Sequence, residues 1–209
     1  MKSFTEINHP LVQHKLSVLR NKETSSATFR KTVEEMTGLL AYEVTRHLQT
    51  KEVAITTPLE ETTGPMIAED VILVSIMRAG NSMLEALLNL MPFARAGHIG
   101  IYRDKFIKNT VEYYFRLPQN IKGKRILLAD PIVATGDTVI ACLDRLKQYE
   151  VGQIHLLTML ISPEGLEKVQ HFHPDVDVLS ASKERGLNEK GYLLPGIGDA
   201  GNRLYHTLE

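Results

Sequence analysis

The chain lacks the marks of several protein classes. A single cysteine, Cys142, in 209 residues excludes an internal disulfide framework. It falls on the apolar face of a predicted helix, where a packed, unreactive thiol is expected. No apolar run is long enough to span a bilayer, and Met1-Lys2-Ser3-Phe4-Thr5-Glu6 has no signal-peptide core. A cytoplasmic protein without a membrane partner is therefore expected. Neither sign of charge prevails: 24 Lys and Arg against 25 Asp and Glu leave a net charge of −1. That balance argues against nucleic acid as the main partner, because binding it needs a basic face.

Other signatures are missing too. The Walker spacing Gly-x-x-x-x-Gly-Lys-Ser/Thr and the Gly-x-Ser-x-Gly elbow do not occur. His171-Phe172-His173 has no Cys or third His at a ligand spacing, so these side chains, like His9 and His14, are expected to be solvated. Repeats, low-complexity tracts and linkers are absent. What remains is 43% hydrophobic and 23% charged, ordinary for a globular protein. At about 150 residues per domain, the length suits one domain or one with a small appendage.

The pattern along the chain is mostly alternating. Residues 11–20 and 27–48 read as helices, the second with Phe29, Val33, Met36, Leu40, Val44 and Leu48 at near-helical spacing. Residues 51–57 read as a strand, 60–64 as a turn and 65–68 as a return strand, making a β-hairpin arm. Strands are then predicted at 71–75, 98–102, 126–130, 153–161 and 176–181. Helices are predicted at 80–90, 138–149 and 163–171. Such alternation implies βαβ units, an α/β fold with a mostly parallel sheet flanked by helices. Residues 103–120 read as a long loop or hairpin, a length that often serves as an active-site lid. The glycine-rich tail from Tyr192 reads as irregular.

One stretch points to chemistry. In residues 125–138, Arg-Ile-Leu-Leu-Ala-Asp-Pro-Ile-Val-Ala-Thr-Gly-Asp-Thr, an apolar strand ends in Asp130. A small-residue loop follows, and then a helix carrying Val139, Cys142, Leu143 and Leu146 on one face. Strand, acid, loop and helix N-terminus make a seat for a phosphate on backbone N–H groups, at the strand end where open α/β sheets bind ligands. The plainer alternative is that Asp130 and Thr135 only cap and turn the chain.

Three further features bear on the choice. Met77-Arg78-Ala79-Gly80 is another turn at a strand end, and Arg103 follows the strand at 98–102. Two such arginines fit a polyanion such as diphosphate, although singly each could be a surface or ion-pair arginine. Gly196-Ile197-Gly198-Asp199-Ala200-Gly201 matches the dinucleotide fingerprint but has too few residues after it for a βαβ unit. Its glycines could let the backbone approach a planar base closely, or could simply turn the chain.

Together these pieces resemble the uracil phosphoribosyltransferases, nearly end to end. The resemblance starts at His9-Pro10-Leu11-Val12 and His14-Lys15-Leu16 and continues through Arg78-Ala79-Gly80 and Tyr102-Arg103. It takes in Asp130-Pro131, Ala134-Thr135-Gly136, Pro163-Glu164-Gly165 and Gly186-Leu187-Asn188-Glu189. It closes with Gly191-Tyr192, Pro195-Gly196 and Gly198-Asp199-Ala200-Gly201. The loop alone indicates the type I phosphoribosyltransferase superfamily, and Asp130-Pro131 with the glycine tail indicates the uracil branch.

The resemblance implies transfer of the phosphoribosyl group of phosphoribosyl diphosphate (PRPP) to uracil, giving UMP and diphosphate. It implies assistance by Mg²⁺ held through PRPP and water, with no ligand directly from the protein. It also implies a type I phosphoribosyltransferase fold in a single domain, with residues 71–181 as core and 182–209 as a small C-terminal base-binding hood. A homodimer or larger homo-oligomer and a GTP effector are implied as well. Arg78 and Arg103 would hold the diphosphate. Asp130, Pro131, Ile132, Val133, Ala134, Thr135, Gly136, Asp137 and Thr138 would hold the ribose and 5′-phosphate. Main-chain groups of Leu193, Gly198 and Ala200 would read uracil, with Asp199 at the PRPP side of the base. Asp130, Asp199 and Arg103 would be the catalytic residues.

One residue departs from the family pattern. Where these enzymes usually carry a second glycine, this chain has Asp137, a carboxylate at a phosphate seat. Asp137 is a good N-cap candidate for the helix, and its side chain is expected to turn away, leaving only its backbone N–H toward the phosphate. Two rivals remain: a same-fold transferase for another base, opposed by the tail, and an inactive RNA-binding regulator, opposed by the charge balance.

Overall fold

The computed structural model of the chain describes residues 4–103 and 110–207. Its elements in order are β1 (Phe4–Glu6), α1 (Pro10–Arg20), α2 (Ser26–Val44), β2 (Thr50–Thr56), β3 (Glu61–Ile67), β4 (Val71–Met77), α3 (Gly80–Leu90) and β5 (Arg95–Arg103). Then follow β6 (Thr110–Arg116), β7 (Arg125–Ala129), β8 (Ile132–Val133), α4 (Asp137–Lys147), β9 (Ile154–Ile161) and α5 (Pro163–Phe172). The chain closes with β10 (Asp177–Lys183), β11 (Gly186–Leu187), β12 (Leu193–Leu194) and α6 (Ala200–Tyr205).

The main sheet runs β1-β10-β9-β7-β4-β5-β6, with β8 paired to β9. All pairings are parallel except the β5–β6 edge. Its central strands are apolar on both faces, as sheets covered on both sides require. Along β4 and β7, Val71, Leu73, Leu127 and Ala129 pack toward α1, α2 and α3. Ile72, Val74, Ile126 and Leu128 pack toward α4 and α5 with Val139, Cys142, Leu143 and Val169. Burying each of these Val, Leu and Ile side chains contributes about 1.5–3 kcal/mol. The expected α/β fold is what forms, and Cys142 is the buried thiol expected, with burial pushing its pKa well up.

Several boundaries differ from the sequence reading. α2 ends at Val44, not 48, because the chain turns at Thr45 to enter β2, and Leu48 packs on the core from that turn. Apolar spacing there outlasts the helix. The hairpin arm reverses at Thr57–Glu60, closed by Thr57 N–H donating to Glu60 O at 2.9 Å. Gly64 is therefore a strand residue opposite Val53. Within 103–120, β6 forms the hairpin option; the lid expectation lies partly on 104–109, outside the described residues. The tail is not wholly irregular, since Asp199 caps α6 by accepting from Asn202 N–H at 2.8 Å. His173 is buried rather than solvated, and burial holds its pKa down.

The order β9-β7-β4-β5 fixes where a ligand can enter. From β4 the chain crosses through α3 to β5 on one side, while β7 lies on the other and leads through α4 to β9. The carboxyl ends of β4 and β7 therefore flank the point where the winding reverses, the usual ligand crevice of an open α/β sheet.

Candidate active site

A cleft of about 270 Å³ opens at that crevice. Every residue expected to hold PRPP lines it, apart from Pro131 and Arg103. Pro131 is buried behind the wall, its carbonyl accepting from Met159 and Leu160 N–H at 3.2 and 3.1 Å. Arg103 ends β5, and its side chain lies outside the described residues. Gly198 and Ala200 flank Asp199 in sequence, and Asp199 faces the cleft. Leu193 sits in β12 with its side chain in the α1–α2 core. These three expected uracil readers do not line the cleft itself.

Four local structures build the walls. At the end of β4, Met77-Arg78-Ala79 turns into α3 through a cis Met77–Arg78 peptide. Gly80 is required there, because a Cβ would stand 2.5 Å from Ala129 O of β7. Ser75 Oγ, hydrogen-bonded to Asn81 Oδ1 (2.8 Å) and His98 Nδ1 (3.0 Å), ties the first turn of α3 to β4 and β5. At the end of β7, Asp130 lies half-buried at the floor, its Oδ1 receiving a 3.5 Å hydrogen bond from Ile132 N–H. Burial pushes its carboxyl up to about 7, against the small lowering effect of that bond.

The third wall is the loop from Ala134 to Thr138. Gly136, at φ 81°, allows the sharp entry into α4, and it, not Asp137, is the helix cap. The first N–H groups of a helix have no acceptor within it, and here they border the cleft. The Asp137 carboxylate is engaged locally: Thr135 Oγ1 donates to Oδ2 at 3.0 Å, and Lys168 of α5 pairs with Oδ1. The carboxylate does not cap α4, and Asp137 itself lines the cleft with its charge held by these two partners.

The fourth wall, the 194–205 segment, carries Asp199 and Gly201. Tyr205 Oη donates to Arg78 O at 3.0 Å, and the Arg78 guanidinium lies over the Tyr205 ring. Arginines then lock the segment to α1 and α2. Arg203 donates to Ile197 O (2.9 Å), Asn21 O (2.7 Å) and Leu19 O, and Arg30 donates to Leu204 O at 2.7 Å. Arg20 makes a two-pronged pair with buried Glu184 at 2.6 and 2.7 Å. Glu184 in turn accepts from Gly196 N–H at 2.7 Å. Lys168, Tyr205, Arg203, Arg20 and Glu184 were not legible as site residues, because their partners lie far away in sequence.

An acid-ended strand, a phosphate-sized loop at a helix start and a cationic turn, all at a reversal in a parallel sheet, define the type I phosphoribosyltransferase fold. Comparisons agree. A purine phosphoribosyltransferase from Pyrococcus horikoshii shares the fold at a TM-score of 0.50 with 16% identity, over 76% of this chain and 93% of that one. A solved protein from Aquifex aeolicus, AQ2163, superposes at a TM-score of 0.91 with 33% identity, over 96% of this chain and 97% of its own.

The family model described as uracil phosphoribosyltransferase matches residues 6–207. Proteins of that name from Polaromonas naphthalenivorans and Rhizobium meliloti are 49% and 47% identical. They cover 96% and 99% of this chain and 97% and 100% of their own lengths. The chain belongs to the uracil phosphoribosyltransferase family.

Proposed function

We propose that this protein transfers the phosphoribosyl group of PRPP to uracil, giving UMP and diphosphate. The observation that carries this reading is the gathering of Asp130, the 134–138 loop, Arg78 and Asp199 around one cleft at the sheet reversal. Displacing diphosphate at the anomeric carbon develops oxocarbenium character. The protein then acts chiefly by positioning and by stabilising the leaving group, with no covalent nucleophile.

In this reading the loop and the start of α4 hold the 5′-phosphate and Asp130 takes the ribose hydroxyls. Arg78 with Arg103 faces the diphosphate. Asp199, with main-chain groups of Leu193, Gly198 and Ala200, sets the base beside the anomeric carbon. The donor set fits Mg²⁺. The cleft offers hard oxygen groups at Asp130, Thr135, Thr138 and Asp199, and the ion would sit on PRPP oxygens and water with Asp130 near it. Bound there, Mg²⁺ would neutralise charge on the departing diphosphate. Residues 71–181 would serve as core and 182–209 as the base-side hood, in one domain, with GTP as an effector.

The test is direct. With uracil, PRPP and Mg²⁺ the protein is expected to form UMP. Asp199→Asn keeps the cap acceptor of α6, so it should lower turnover at least tenfold with an unchanged thermal midpoint; Arg103→Ala should also lower turnover. No UMP from the wild type would overturn the assignment.

The same reading includes a homo-oligomer. Two-stranded hairpins are marginal in water alone, yet the β2–β3 arm exposes Ile55, Met66 and, at its tip, Leu59, which is 95% exposed. A second copy covering these side chains is expected, and sedimentation should give at least a dimer. Leu59→Asp with Met66→Asp should shift it toward monomer.

A further inference from the structure

We propose that Lys168 belongs to the 5′-phosphate seat as the counter-charge that lets a carboxylate stand in the phosphate loop. The inference rests on the PRPP reading above. Asp137 is the first residue of α4 and lines the cleft, where a lone carboxylate would repel a phosphate dianion. Lys168 pairs with its Oδ1, while Thr135 Oγ1 holds Oδ2. The loop is thereby close to neutral where the phosphate arrives.

Lys168 is not placed there by chance of a long side chain. It stands on α5, whose first turn is fixed under the same loop. Ser162 Oγ donates to Ala134 O at 2.5 Å and caps α5 through Gly165 N–H at 2.7 Å. Gly165 has no room for a Cβ, which would meet Ala134 O, and a Cβ on Gly136 would in turn approach the Gly165 backbone. Lys168 follows Gly165 by about one helical turn. The helix that supports the loop backbone thus also supplies the cation that cancels the loop's acid.

An ordinary surface ion pair contributes little and favours no one substrate. A counter-charge for a phosphate seat acts on one substrate and depends on the acid it cancels. The experiment compares Lys168→Met, Lys168→Arg, Asp137→Gly and the Lys168→Met/Asp137→Gly pair in steady-state assays with uracil and PRPP. Lys168→Met is expected to raise the KM for PRPP about tenfold or more, with kcat and the KM for uracil within about twofold. Lys168→Arg should keep the PRPP KM within about threefold of wild type. In the Asp137→Gly background, losing Lys168 should change the PRPP KM by less than about threefold.

An unchanged PRPP KM in Lys168→Met would overturn the inference. So would an Arg variant as impaired as the Met variant, or an equal effect of Lys168→Met with and without Asp137. Wild-type protein that forms no UMP would instead overturn the reading beneath it.

Discussion

Asp130→Asn is expected to make the ligand-free protein more stable near neutrality while cutting turnover on the order of a hundredfold or more. The carboxyl is pushed up by burial from an ordinary value of 3.8 to about 7. Between those values the folded state holds a proton that the unfolded chain has lost, so stability falls as pH rises through that window. The cost is at most a few kcal/mol at pH 8, because a tenfold change in proton affinity is worth about 1.4 kcal/mol and the open cleft screens part of it. Asparagine carries no such cost and still accepts from Ile132 N–H. Thermal midpoints of the two proteins should therefore differ at pH 8, with the variant higher, and converge near pH 4. For wild type, kcat/KM for PRPP should rise with pH up to about 7, and the variant should lack this rise. Equal midpoints at pH 8 would show that the ionised carboxylate costs the fold nothing, and a variant with normal turnover would remove Asp130 from the reaction. A residue held at a cost to the fold is what an active-site acid looks like.

The phosphate side of the site was legible because its determinants are local. Strand, acid, small loop and helix follow one another within residues 125–138, and each announces itself by apolar spacing or by a glycine whose φ must be positive. Sequence patterns say least where contacts are distant. The pairing of β1 with β10 joins opposite ends of the chain, so Phe4–Glu6 gave no periodic signal of a strand. α6 was masked by Gly201 and Asn202, poor helix formers that a cap at Asp199 and packing of Leu204 on α2 override. The partner of Asp137 stands 31 residues away, and no spacing rule links them. His173 illustrates the same limit, since its burial comes from packing that a His-Phe-His run at a helix end does not reveal.

Glu184→Ala is the substitution expected to disturb the base side most. The Glu184 side chain is almost wholly buried and joins α1, through Arg20, to Gly196 N–H in the turn that leads to Asp199. Burial alone would push its carboxyl up. The hydrogen bonds from Arg20, Gly196 and Ser182 outweigh that and hold it below the ordinary Glu range. Removing the carboxylate leaves the Gly196 N–H without its acceptor and the Arg20 guanidinium without its counter-charge, holding only the Gly196 carbonyl at 3.1 Å, a loss of about 3–5 kcal/mol for a buried pair broken on one side. Urea unfolding should report that loss. Because the turn precedes the base-side residues and not the phosphate loop, the KM for uracil should rise severalfold more than the KM for PRPP. Glu184→Gln keeps an acceptor for Gly196 N–H and should fall between the two. Its pH dependence checks the cause. A carboxyl held low in the folded state stabilises above its unfolded value of 4.5 and loses that contribution as pH falls through the folded value. Wild type should therefore lose stability in acid more steeply than the Gln variant. If both uracil and PRPP constants rose together, the clamp would support the whole fold and not the base side, and its link to Asp199 would fail.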